Sequence, residues 1–174
     1  MEHTKAQKRM LICAAFLSLG ALGGVLTFAR LSEPALEKIG SWVHRFLMVN
    51  PLMQIPLTAL VVPLLLLISG ASAFGTVFVF CLLMISGFAI GAGETAALRL
   101  HFLPLVTGAF LLLDSLCVLQ IAVCMLRRAS VLRAQVRRGG QVRADYRFDV
   151  ASAAAAFFVL VLAAFIFAYY LLNV

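Results

Sequence analysis

ASAAAAFFVLVLAAFIFAYYLL, residues 151–172, runs for 22 residues without a charge. A helix rises about 1.5 Å per residue, so this stretch alone spans the roughly 30 Å of hydrocarbon in a bilayer. Its apolar side chains form no stripe and no alternation; they occupy every side, as a segment surrounded by lipid requires. Four further stretches, about 10–29, 52–69, 73–92 and 102–126, meet or approach the same length. The sequence therefore predicts an all-α polytopic transmembrane bundle of five spans, with residues 1–174 forming one membrane domain.

Composition points the same way. Of 174 residues, 64% are hydrophobic and 12% charged, and the mean hydropathy is +1.08. A water-soluble globule of this size has too little polar surface to cover so many apolar atoms. A transmembrane barrel needs alternating strands of about 10 residues, which these continuous apolar runs do not supply. The four cysteines, Cys13, Cys81, Cys117 and Cys124, all fall inside expected spans and suggest neither a disulfide framework nor a zinc site. Residues 1–29 pair a basic start with a long apolar run that lacks a clear cleavage pattern, and read as a retained signal anchor.

The formal charge of +7 is concentrated where membrane topology places it. Lys5, Lys8 and Arg9 precede the first span, while Arg127, Arg128, Arg133, Arg137, Arg138, Arg143 and Arg147 join the fourth to the fifth. Arg30, Lys38, Arg45 and Arg99 fall in the connections that alternate to the other side. The positive-inside bias then predicts a cell-membrane protein with a cytoplasmic N-terminus, a cytoplasmic basic loop over 127–149 and an outer C-terminus. Gly139-Gly140 is the expected break in that loop. The uncharged turn from Gly70 to Gly75 leaves open whether spans two and three cross fully or dip back. Pro56 and Pro63, on nearly one helical face, predict a kinked second span.

Between spans one and two, Ser32-Glu33-Pro34 opens a helix, since Ser caps free amides and Glu and Pro suit the first turn. Over about 33–49 its faces separate at 100° per residue. Leu36, Ile39, Trp42, Val43, Phe46, Leu47 and Val49 share one side; Glu33, Glu37, Lys38, Ser41, His44 and Arg45 share the other. This is an amphipathic outer-surface helix, with Trp42 suited to the headgroup region. Two placements stay open: against lipid, or over the mouth of the bundle.

Few residues carry chemistry. Asp114 puts a carboxylate inside a span, where it normally faces a partner or a wet cavity; Thr107, Cys117 and Cys124 lie near its face. A cation or proton path is one reading, and a neutral or hydrogen-bonded Asp114 tying helices together is the other. Gln120 is on another face and is expected to bond a helix or partner chain. Glu94, Arg99 and His101 cluster in an expected outer loop over 93–101, too few ligands for a metal. Gly20-x-x-x-Gly24 and Gly87-x-x-x-Gly91 allow close helix approach, within the chain or with a second copy, so a homo-oligomer stays open. There is no nucleophile elbow, phosphate loop or zinc-protease motif, so the expectation is a protein that is not an enzyme and takes no cofactor. Lipid is the expected partner of the arginine run, and nucleic acid is not, because no aromatic platform accompanies the charge.

LLLLISGASAFGTVFVFCLLMISGFAIGAG, residues 64–93, resembles the central region of the stage II sporulation protein M family. There an apolar helix enters a Gly-containing turn and then a helix with a Gly-Phe-x-x-Gly element, matched here by Gly70, Gly75 and Gly87-Phe88-Ala89-Ile90-Gly91. The five-span plan and the amphipathic second helix are similar. This chain has Thr76 and Val77 where that family often has Pro, and Ser86 where it often has a basic residue. The resemblance implies a membrane scaffold working with wall-remodelling enzymes during endospore engulfment. The expected function is thus a scaffold docking extracytoplasmic partners through Glu37, Trp42, Arg45, Glu94 and Arg99; the alternative is a transporter or channel component using Asp114.

Overall fold

The computed structural model describes residues 2–72, 75–100, 104–138 and 147–173. They form six helices: α1 (Glu2–Ala29), α2 (Glu33–Met48), α3 (Pro51–Ser69), α4 (Gly75–Arg99), α5 (Pro104–Arg138) and α6 (Arg147–Leu172). All but α2 are long and apolar enough to cross a membrane, so the chain is a multi-pass membrane bundle.

Local sequence explains the breaks. Ser32 stands at the start of α2 in extended backbone, with Glu33 in the first turn and Pro34 beside it. The expected side-chain cap is not made; the first turn closes instead through the Leu36 amide on the Ser32 carbonyl at 3.0 Å. α3 opens on Pro51, where a missing donor costs nothing, and runs unbroken through Pro56 and Pro63, both buried. After Ser69 the chain folds back tightly: the Ala71 and Ser72 amides bond the Ile68 and Ser69 carbonyls, and a Cβ on Gly75 would strike the Ser69 carbonyl.

Two boundaries differ from the sequence reading. The span expected to end at residue 92 continues to Arg99, so Glu94 and Arg99 stand on helix rather than in a loop; His101 lies outside the described residues. Ala96 and Ala97 favour helix, and Thr95 satisfies its hydroxyl on the Gly91 carbonyl at 2.8 Å, so nothing there terminates α4. The basic connection expected over 127–149 is in good part helix as well. α5 continues to Arg138 and α6 begins at Arg147, while 139–146, with the expected Gly139-Gly140 break, lie outside the described residues.

Contacts set the directions. Gly20 and Gly24 of α1 meet Met84 and Phe88 of α4 in ascending order, so these two helices run parallel. Arg133 reaches Thr76 while Leu111 lies against Gly93, which makes α5 antiparallel to α4. Gln120 bonds Ser152 and Phe110 stacks on Phe167, which makes α6 antiparallel to α5. The start of α1, the turn from α3 to α4, the end of α5 and the start of α6 thus share one end, here called the arginine end. α2 and the end of α6 lie at the other.

The core cluster sits toward the arginine end. Cys13, Leu66, Val79, Leu83, Val118, Ile121, Ala122, Met125 and Ala153 pack together in it, and among the α5 residues whose burial is described every buried one lies from Cys117 onward.

Candidate functional site

The interlocked glycines fix α4 against α1. A Cβ on Gly20 would strike the Met84 carbonyl, and one on Gly24 would strike the Phe88 carbonyl and lie 2.8 Å from the Ala92 amide nitrogen. From the other side, Gly87 meets the backbone of Leu17 and Ala21, and Gly91 that of Ala21. Both motifs are therefore spent on each other, backbone against backbone, inside one chain. Gly70 serves α5 in the same way, since a Cβ there would collide with the Met125 side chain.

At the arginine end the basic residues are built into the bundle. Arg127 Nη1 donates to Asp149 Oδ1 at 3.1 Å, and Asp149 is buried, 6% exposed. Arg9 Nη2 donates to Ser130 Oγ at 3.3 Å, and Arg133 Nη2 to Thr76 Oγ1 at 2.9 Å. These bonds tie α5 to α6, α1 and α4 in turn. Sequence reasoning placed the arginines at this end but missed Asp149, Ser130 and Thr76. The available signal for Asp149 was its position in the first turn of the fifth span, where a carboxylate suits a helix N-terminus.

Asp114 lies on α5 about 20 Å from Arg127 along the axis, and Thr107 about 30 Å away. If the Arg127–Asp149 pair marks the hydrocarbon boundary, Asp114 lies past the midpoint, toward the α2 end. Its side chain is half-buried. Among the described residues no hydrogen bond or ion pair reaches its carboxylate, and Thr107 Oγ1, two turns away on the same face, is buried without a partner. Cys117 and Cys124 are buried free thiols on that face. Gln120, on another face, donates through Nε2 to Ser152 Oγ at 2.7 Å and so joins α5 to α6.

The residues proposed as a partner surface separate. Arg99 Nη1 donates to the Phe28 and Leu31 carbonyls at 3.0 and 2.9 Å, satisfying acceptors left open where α1 ends. It therefore pins the α1–α2 connection to the end of α4. Glu94 is half-buried on α4. Glu37 and Arg45 stand exposed on the polar face of α2, and Trp42 on its apolar face. Among the described residues no group of His, Cys, Asp and Glu is placed to hold a metal.

No protein family, characterised protein or solved structure matches this chain. The class defined here is a five-span helical membrane protein.

Proposed function

We propose that the chain is a non-enzymatic scaffold of the cell membrane, with the arginine end in the cytoplasm and α2 on the outer side, where its polar face docks extracytoplasmic partners. The orientation follows from the positive-inside rule, because Arg9, Arg127, Arg128 and Arg133 gather at one end. The observation that carries the docking surface is the mounting of α2. Leu36 is buried, Gly40 meets Leu100 Cδ1 at 3.0 Å from its would-be Cβ, and Arg99 holds the preceding turn. Glu33, Glu37 and Lys38 meanwhile stay exposed and bond no other part of the chain among the described residues. A rigidly held helix with free charges suits recognition. The resemblance in residues 64–93 suggests the partner class, wall-remodelling enzymes of endospore engulfment, in which case catalysis belongs to the partners.

Photo-crosslinking in cells from position 41, exposed on the same polar face, tests this. The expected result is an adduct with a wall-remodelling enzyme that disappears in Glu37→Lys, Arg45→Glu and persists in Asp114→Asn.

A second reading, a transporter or channel component, is favoured by one observation: among the described residues the Asp114 carboxylate and Thr107 hydroxyl have no partner on one face of α5. Ion flux in proteoliposomes that vanishes in Asp114→Asn alone establishes it and displaces the scaffold.

A further inference from the structure

We infer that α2 is an in-plane membrane helix whose partner is the lipid surface itself, with Ile39, Trp42, Val43 and Phe46 sunk to the boundary between headgroups and acyl chains. These four follow helical spacing along one stripe, and all are exposed, Trp42 by 68% and Phe46 by 44%. Trp42 and Phe46 stack on each other with centroids 6.1 Å apart. Of the apolar side chains described on α2, the bundle buries Leu36 and leaves this stripe outside. In water such a contiguous patch is a liability; at a bilayer surface it is the feature that binds.

Position supplies the occupant. α2 is joined by short links to α1, which ends at Ala29, and α3, which starts at Pro51. Both neighbours are membrane spans, so both ends of α2 are held where hydrocarbon meets water. At 16 residues it is about 24 Å long, too short to cross, and its charged face forbids crossing in any case. An independent marker gives the same level. On α6, the distance from buried Asp149 to exposed Tyr169 is about 30 Å, one hydrocarbon thickness, and Tyr169 and Tyr170 stand at the α2 end as interfacial aromatics do. The Arg99 bonds to the Phe28 and Leu31 carbonyls fix α2 to the bundle, so its depth is set by the fold.

Trp42 is the sole tryptophan, which makes the full chain its own probe. Single chains in lipid nanodiscs are read by Trp42 emission, with bromine placed near the carbonyl end of the acyl chains, near their methyl end, or with iodide in the water. The expected result is strong loss of emission with the shallow bromines, weaker loss with the deep ones and little with iodide. Moving the probe by Trp42→Phe with Phe46→Trp, one turn along the same stripe, keeps that pattern, while Trp42→Phe with Glu37→Trp reverses it toward iodide. Emission from Trp42 quenched by iodide but not by bromolipid overturns the inference, because the stripe then faces water. Emission reached by neither also overturns it, because α2 then folds down over the mouth of the bundle. The scaffold reading is tested separately by crosslinking from the polar face, so the two can fail independently.

Discussion

Toward the arginine end, side chains fill the space between helices: Leu66, Leu83, Ile121 and Met125 are fully buried, and Arg127, Arg9 and Arg133 lace α5 to its neighbours. Toward the α2 end the same helices are joined by other means. α1 and α4 touch through backbone at Gly20, Gly24, Gly87 and Gly91, α5 meets α6 through the Phe110–Phe167 stack at 4.6 Å, and no described α5 residue before Cys117 is fully buried. The packed core depends on volume, and the α1·α4 contact depends on the absence of it. The difference places Asp114 outside the packed core: it stands half-buried on the stretch of α5 before Cys117, not among the fully buried side chains.

The glycine contacts tolerate substitution least. Gly24→Leu is expected to abolish α1·α4 packing and leave no monodisperse protein on size exclusion in detergent, whereas Gly108→Ala, with nothing within 4 Å of its would-be Cβ, gains about 0.5–1 kcal/mol in helix propensity. Next in size, Ile121→Ala hollows the core and is expected to cost about 2–5 kcal/mol in denaturant unfolding. Leu113→Ala, about two turns nearer the α2 end on the same helix, is half-buried and costs less than half as much; equal losses at the two sites would erase the contrast. Arg127→Ala leaves the Asp149 carboxylate buried without its partner, an expected loss of about 1–3 kcal/mol that Asp149→Asn in the same chain largely restores in a thermal-shift series. Smallest is Gln120→Leu, which removes one interhelical hydrogen bond and is expected to cost about 0.6 kcal/mol.

The spans were legible because lipid imposes a length and forbids charge, and both are written in single residues. The ends of helices were harder. The charges Glu94 and Arg99 make Gly93–Arg99 read as a polar loop, yet Ala96 and Ala97 and the Thr95 bond to Gly91 carry α4 onward. Pairing was hidden for a different reason: Gly20-x-x-x-Gly24 announces close approach but not to what, and its partner lies far along the chain at Met84 and Phe88. Gln120 presented a polar group in a span, and only three dimensions supplied Ser152. Arg99 read as a solvated outer charge until the fold brought the exposed carbonyls of Phe28 and Leu31 beneath it.

The parallel α1·α4 contact has a consequence for biogenesis. Chain synthesis at about 5–20 residues per second separates Gly20 from Met84 by roughly 3–13 s, during which α1 has left the ribosome and its glycine groove has no mate. The nascent protein must therefore pass through a stage in which its first helix waits in the bilayer, and a ribosome stalled before α4 emerges leaves that groove open to any other small-residue helix nearby.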